Sequence, residues 1–316
     1  MGQNGCTQGG QCLAAERLLS CYCLWYNALV MVMDAMLLDL VRRAACELPE
    51  DVLQALTCAR QMEREAAPKG MLETLCTNCA LAREQQTPMC QDTGTLTFFW
   101  RLPAGQPLAP LKAAAERAVR EATCRGWLRK NTIDTLSGRS VDENVAPGIP
   151  VHHVEEVAPG EQGAVTLLLK GGGSENMGCQ YSLPDVRLGV GRDLKGVRAC
   201  VLDAVNRIQG QGCAPGILGV CIGGDRAGGV AHAKRQLLRP PAGRAPEPAL
   251  AELEIQLLQE ANMLGIGPMG LGGKTTLLGV KLGMLTRLPA SYFVSIAYCC
   301  WACRRQTALL PVPVVT

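Results

Sequence analysis

Residues 164–176 read Ala-Val-Thr-Leu-Leu-Leu-Lys-Gly-Gly-Gly-Ser-Glu-Asn, and the break inside this stretch decides the fold class. Ala164 to Leu169 is a short apolar run with β-leaning residues, and Lys170-Gly171-Gly172-Gly173-Ser174 stops it sharply. A strand that delivers its chain into a glycine-rich loop is typical of sites where backbone must approach an anionic ligand closely. Working outward, strand signals recur at Val151 to Val157, Thr95 to Trp100, Ile217 to Ile222 and Tyr292 to Ala297. Helical spacing separates them. Pro110 to Ala122 puts Leu111, Ala115 and Val119 on one face, and Gly191 to Gly210 and Pro248 to Met263 read as further helices. From Leu29 to about Glu84 the pattern is helical, with Glu47-Leu48-Pro49-Glu50-Asp51 as a helix start whose acidic residues suit the dipole. The reading is an α+β (mixed α/β) chain: a helical N-terminal part followed by a mixed-sheet core with glycine-rich loops at strand ends.

Composition removes several function classes. The chain has 316 residues, 48% of them hydrophobic, ample for a sizeable core. A net charge of +3 and 4% aromatic residues supply neither the basic block nor the stacking platforms of a nucleic-acid binder. Leu24 to Leu40 is apolar, but Asn27, Asp34 and Asp39 interrupt it, whereas a spanning helix needs about 20 predominantly apolar residues. An amphipathic packing helix is expected instead. No apolar run followed by a small-residue cleavage site marks a secretory signal, so residues 1–28 read as a poorly ordered leader, 29–306 as the catalytic domain and 307–316 as a tail. The Pro/Gly-rich stretch Arg239 to Pro248 reads as a candidate linker. The 17 cysteines are an odd number in a chain too long to need disulfide staples, which points to a reduced, cytoplasmic protein.

Individual motifs leave the chemistry open. Gly171 to Gly173, Gly223-Gly224 and Gly265 to Gly273 favour an anion site. Gly-Leu-Gly-Gly-Lys-Thr-Thr is not a phosphate loop: the position that must be glycine is Pro268. Gly219 to Gly224 likewise misses the dinucleotide spacing. Cys76/Cys79 and Cys300/Cys303 are Cys-X-X-Cys pairs, which admits a zinc-stapled, non-catalytic binding protein, although ribbons space such pairs by about 15–20 residues. His152 and His153 are adjacent on a strand and therefore face opposite ways. Spacing alone singles out no cysteine set.

Five stretches taken together resemble the class I, iron–sulfur-dependent fumarases and their L(+)-tartrate dehydratase relatives, over about residues 40 to 305. They are Cys90-Gln91-Asp92-Thr93-Gly94; Leu128-Arg129; Lys170 to Asn176; Cys213 with Pro215 before Gly-Val-Cys-Ile-Gly-Gly; and Gly-Ile-Gly-Pro-Met-Gly-Leu-Gly-Gly-Lys-Thr-Thr with the terminal Cys-Cys-Trp-Ala-Cys-Arg-Arg. The resemblance implies a core of the class I fumarase N-terminal domain type and an alpha subunit carrying a [4Fe-4S] cluster on three cysteines, which carry over as Cys90, Cys213 and Cys300. Fully ligated clusters use four thiolates, so three leave one iron open as a Lewis acid. Cys299 is the rival for the last position, and Cys300 is preferred because it directly precedes the Trp-Ala-Xaa-Arg-Arg wording. Two departures are visible: Cys303 stands where some relatives have Asp, and Cys213-Ala214-Pro215 replaces Cys-Pro-Pro.

The resemblance also implies a dicarboxylate site. Arg129 matches the family's substrate-gripping arginine, suited to a bidentate carboxylate clamp. Gln91 and Gly173 carry over as substrate contacts, and Asp92 as the residue for acid–base work or for orienting water, its alternative role being to cap the next turn. Lys274 is a further candidate, either as an anion contact or as a solvated loop charge. Long single-chain members continue into a second domain with more substrate-binding residues. Here the chain stops at Thr316, so the expected partner is a beta-type subunit that completes the active site, two copies of each. Retention of Lys-Gly-Gly-Gly-Ser-Xaa-Asn and Gly-Gly-Lys favours fumarate and L-malate over tartrate or another 2-hydroxy diacid. The leader and the Pro-Val-Pro-Val-Val end also fit a decayed or chimeric member.

Overall fold

Alternating side chains along four strands build the molecule, a computed structural model that describes residues 30–311. The expected leader, residues 1–28, and residues 312–316 of the expected tail lie outside the described residues. In β1 (Thr95–Pro103) Leu96, Phe98, Trp100 and Leu102 enter one apolar cluster while Phe99 enters another. In β5 (Ala164–Lys170) Val165, Leu167 and Leu169 join the first and Leu168 the second. A period of two on a sheet buried on both faces requires this division. Leu218, Val220 and Ile222 of β7 (Gly216–Gly223) and Val294, Ile296 and Tyr298 of β9 (Phe293–Cys299) feed a third cluster. Ile217, Cys221, Ala297 and Cys299 point back into the second.

Two mixed sheets result, as the sequence predicts. The first has order β10-β5-β1-β4, with β4 (Val151–Val157) parallel to β1, and β5 and β10 (Arg304–Leu309) joined antiparallel. The second has order β6-β9-β7-β8, with β6 (Cys179–Ser182) and β8 (Leu277–Leu285) at its edges. A two-stranded ribbon, β2 (Thr132–Ile133) with β3 (Ser140–Val141), completes the strands. The helix over residues 30–46 (α1) and α4 (Leu108–Cys124) cover the outer face of the first sheet. α2 (Glu50–Met62) and α3 (Ala66–Gln85) pack in the second cluster between the sheets, beside α7 (Arg226–Gln236). α6 (Leu194–Ile208) and α8 (Pro248–Met263) close the far side.

The N-terminal helical stretch therefore divides into three helices. α1 is amphipathic: Leu37, Leu40, Val41 and Ala44 are fully buried, while Asp34 pairs with Arg117 at 2.6 Å and Asp39 with Arg42 and Arg43 at 2.8 Å. Among the described residues no helix is long and apolar enough to cross a membrane.

Two expectations are corrected. Arg239 to Pro248 is not a linker. Buried Glu254 accepts the Ala245 N–H at 3.0 Å and Arg239 Nη1 at 2.8 Å, and Gly243 offers its carbonyl to the buried Lys281. A turn-rich composition can be pinned this firmly when a buried carboxylate needs donors. The fold also does not stop at residue 306, because β10 runs to Leu309 on the edge of the first sheet.

The two histidines face opposite sides of β4, as alternation requires. His152 stacks on Phe98 and accepts the Trp100 indole N–H on Nδ1 at 3.0 Å, while His153 stacks on Phe99. Burial, with the charge of Lys112, pulls His152 down to about 4. An unfolded imidazole titrates near 6.5, so between those values the unfolded chain binds a proton that the folded chain refuses. Stability should therefore fall as pH drops from 6.5 toward 4, by at most about 2 kcal/mol after solvent screening. Urea unfolding at pH 7 and 4.5 is expected to show that loss shrinking in His152→Gln. An unchanged loss in the variant would show that His152 is not its source.

Candidate active site

The loop Cys90 to Gly94 precedes β1, and Cys90, Asp92, Thr93 and Gly94 each have a structural task. The Cys90 sulfur accepts the Asp92 N–H at 3.4 Å. Thr93 donates its hydroxyl to the Arg129 carbonyl at 2.7 Å and accepts the Arg129 N–H at 2.9 Å. Fully buried Asn144 adds a second donor to that carbonyl at 2.9 Å. This double clamp explains why two motifs 36 positions apart act together. The Arg129 side chain is exposed and has no hydrogen-bond partner among the described residues, and it lines one open depression with Gln91, Lys130 and Asn131.

Asp92 is the hub. Its Oδ1 accepts the Gly94 N–H at 2.9 Å and Asn131 Nδ2 at 3.3 Å, and its Oδ2 accepts the Gly172 N–H at 2.6 Å. Its carbonyl accepts Arg304 Nη2 at 2.8 Å. Three N–H donors fix its orientation. The approach is so close that a Cβ on Gly171 would sit 2.8 Å from Oδ2. Gly173, two residues on, is exposed in the short helix α5 (Gly172–Asn176), and a Cβ there would meet nothing within 4 Å. The tight glycine of the triplet is thus Gly171, and Gly173 borders open space.

Cys213 follows the 3₁₀ turn Gln209–Gly212, is exposed, and sits in the left-handed region at φ 53° immediately before β7. Its carbonyl accepts the Trp301 N–H at 3.2 Å, which ties this turn to the end of β9. There Cys300 is half-buried, its N–H held by Ser174 Oγ at 3.1 Å, whereas Cys299 is buried in the cluster between the sheets. Burial pushes the Cys213 thiol up, and the charges of Cys300, Cys90 and Asp92 act on it in the same direction. The hydrogen bond with Cys299, together with burial, holds the Cys300 thiol well above its ordinary value, opposed by the charge of Arg304. Hydrogen bonds thus tie together the three segments that carry Cys90, Cys213 and Cys300, through Arg304 Nη2 on the Asp92 carbonyl and the Trp301 N–H on the Cys213 carbonyl. Among the described residues no contact links the Lys274 side chain to these cysteines; its N–H is bound by buried Glu63 at 2.7 Å.

Sequence reading did not single out the buried cations around these thiols. Lys170, 1% exposed at the end of β5, lies 3.0 Å from Glu175 Oε2, and Lys234 binds the other oxygen at 2.6 Å. Arg304 is 2% exposed at the start of β10. Arg304 Nε and Tyr298 Oη are buried without a hydrogen-bond acceptor, whereas Lys170 Nζ has the Glu175 carboxylate. The charge of Lys170 acts on Cys299, and those of Cys300, Cys299 and Cys213 act on Tyr298. The available signal was a lysine and an arginine in otherwise buried strand positions. Among the described residues no three His, Cys, Asp or Glu side chains share a single ion position, so the two Cys-X-X-Cys pairs do not make a zinc site there. A polynuclear cluster is ligated at separate irons. Three separated thiols with unsatisfied buried donors around them fit such a group.

Fold and site together define a class: a mixed-sheet α+β protein with three thiols, a clamped carboxylate and an open guanidinium on adjoining loops. The chain belongs to the fumarate hydratase (fumerase) family, whose profile matches residues 35–309. It is 44% identical over 271 residues to a protein of Geobacillus stearothermophilus named a class I fumarate hydratase, covering 84% of this chain and 52% of that protein. It is 30% identical over 264 residues to the L(+)-tartrate dehydratase subunit alpha of Escherichia coli O157:H7, covering 83% and 86%. With a Methanocaldococcus jannaschii protein given the same subunit name it shares 32% over 279 residues, covering 87% and 96%. The chain thus spans about half the length of the first relative and most of the other two.

Proposed function

We propose that this chain is the iron–sulfur-bearing alpha subunit of a hydro-lyase that interconverts fumarate and L-malate. The observation that supports the reading is the bonding of the three cysteine-bearing segments to one another: the Cys213 carbonyl accepts the Trp301 N–H at 3.2 Å, the Asp92 carbonyl accepts Arg304 Nη2 at 2.8 Å, and Arg304 Nε is buried without an acceptor. Those three thiols would hold a [4Fe-4S] cluster, which when bound supplies Lewis-acid polarisation of the hydroxyl and carboxylate of a 2-hydroxy diacid.

The chain's own residues do the rest. Arg129, its backbone clamped by Thr93 and Asn144, offers a fork of N–H donors to one substrate carboxylate, and Gln91 beside it fixes the rotation of that group. Gly173 lets a ligand approach the backbone of α5 without a side chain in the way. Asp92 Oδ1 is taken by Gly94 and Asn131, whereas Oδ2 has only Gly172. Oδ2 keeps the freer lone pair and is the atom that takes a proton from, or orients, the attacking water. Relatives named as alpha subunits support a beta-type partner, and in this proposal it completes the site in an assembly of two alpha and two beta chains. All 13 cysteines among the described residues are free thiols, which suits a reducing cytoplasm.

A second reading, dehydration of L-tartrate or another 2-hydroxy diacid, has its own support: two relatives carry the L(+)-tartrate dehydratase subunit alpha name. One experiment addresses both. The chain is purified without oxygen, supplied with iron and sulfide, and analysed for both, then assayed with its partner on fumarate and L-tartrate. About four irons and four sulfides per chain with fumarate turnover support the proposal. Stoichiometric zinc without sulfide sinks it, and tartrate turnover alone moves the substrate. In the same assay Arg129→Lys, which loses the fork but keeps the charge, is expected to lower kcat/KM by about a hundredfold with iron content unchanged. Parent-like kinetics would remove Arg129 from the substrate site.

A further inference from the structure

Three buried donors lie near the candidate ligands, and their surroundings differ. Lys170 has the Glu175 carboxylate beside it. The Tyr298 ring lies against the turn glycines Gly212 and Gly216, and its residue packs with the α6 and α8 layer. Arg304 has neither relief. It occupies the first position of β10 opposite Leu169, 2% exposed, and among the described residues its guanidinium donates only to a neutral acceptor, the Asp92 carbonyl. Among the described residues no carboxylate pairs with it, while the neighbouring Arg305 is neutralised by Asp51 at 2.5 Å and 3.1 Å. A guanidinium stays charged in a protein, and burying it without a counter-charge is strongly unfavourable. Such a cation is explained by an anion held next to it. Its position names the anion. Arg304 stands four residues after Cys300 on the same chain segment and is hydrogen-bonded to the residue two after Cys90.

We infer that Arg304 is a positioning residue of the thiolate centre: it locks the Cys90–Gly94 loop to the Cys300 turn and places a fixed positive charge beside the thiolates. The inference rests on the cluster reading above and deepens it, assigning to Arg304 the control of cluster retention and reduction potential. A positive charge favours the reduced, more negative state, so removing it lowers the potential. The same residue registers two ligand-bearing loops, so removing it also loosens their mutual placement.

The test uses the full chain, reconstituted with iron and sulfide without oxygen, as parent, Arg304→Gln and Arg304→Lys. In Arg304→Gln the reduction potential is expected to shift to a lower value and iron to be lost about 10- to 100-fold faster to a chelator. Arg304→Lys keeps the charge, so its potential should stay near the parent's. The amides of Asp92 to Gly94 should nevertheless exchange faster with solvent, because the guanidinium fork is gone. Parent-like potential and iron retention in Arg304→Gln would overturn the inference. Should that variant not fold, Arg304→Lys decides: faster amide exchange with faster iron loss supports the assignment, and parent behaviour in both overturns it. A parent chain that takes up no iron refutes the cluster reading alone. Amide exchange in iron-free parent and Arg304→Lys then settles whether Arg304 anchors the loop, since that measurement needs no metal.

Discussion

Replacing Gly267 with Ala is expected to destabilise the chain by about 4 kcal/mol and to abolish iron binding, although the residue touches no candidate ligand. Gly267 has φ 69° and ψ −178°, a conformation essentially reserved for glycine. A Cβ there would lie 1.5 Å from the Gly272 carbonyl oxygen and 2.2 Å from its carbon, so backbone must move. The loop cannot yield locally. Gly272 donates to the Ile266 carbonyl at 2.9 Å and Gly267 to Thr276 Oγ1 at 3.2 Å, which closes the loop on itself. Its crown is bonded to the cysteine turn, with the Met269 N–H on the Ala214 carbonyl at 3.0 Å. Gly210 packs against Met269 and Gly270 so closely that a Cβ would come within 2.7 Å of the Met269 carbonyl oxygen. Any rearrangement around residue 267 is thereby passed to the turn that presents Cys213. Thermal unfolding should fall by roughly 10 °C for a chain of this size. Gly173→Ala, with empty space around its Cβ, should leave the melting temperature unchanged. A Gly267→Ala chain that melts with the parent and binds iron would show that this loop does not carry the cysteine turn.

The same physics separates what the sequence discloses from what it hides. Strands buried on both faces announce themselves by apolar runs, so β1, β5, β7 and β9 were legible to within a few residues, as were the half-exposed edge strand β4 and α4, α6 and α8. β10 was not, because Arg304 and Arg305 open it. Arg304 is buried on the Asp92 carbonyl and Arg305 on Asp51, and to a periodicity reading two adjacent arginines look like a solvated loop. β8 was masked by Lys281 and two glycines behind the Gly-Gly-Lys-Thr-Thr wording. α7 holds Gly228 and Gly229 and has little apolar face. The Asp225 side chain starts it by capping the Gly228 N–H at 2.7 Å, a signal present in the sequence but weak by itself. The site was hidden for a different reason. Its cysteines come from three loops far apart in the chain, and no spacing rule reaches across such distances. Family resemblance proposed the positions, and the Thr93–Arg129 clamp and the Asp92–Gly172 bond supply a physical reason for those motifs to occur together.

Cys213→Ser is expected to eliminate cluster binding while leaving the iron-free fold almost intact, and this contrast distinguishes a ligand from a packing residue. Cys213 is exposed, so its sulfur contributes little to core packing, and its backbone carries the structural links: N–H to Gly210 at 3.2 Å and carbonyl to Trp301 at 3.2 Å. Serine preserves both links and the side-chain size, so iron-free stability should change by less than about 1 kcal/mol. A hydroxyl is a poor ligand for iron–sulfur centres, which select thiolates. Iron and sulfide should fall from about four per chain to nearly none, and activity with the partner by at least about a hundredfold. Cys299→Ala supplies the opposite case. That sulfur is buried between the sheets, so its loss should lower stability while iron remains. Full iron in Cys213→Ser together with lost iron in Cys299→Ala would exchange the two assignments. The centre would then lie in the interior beside Cys303, out of reach of Arg129, and a substrate carboxylate held by that arginine could not meet it.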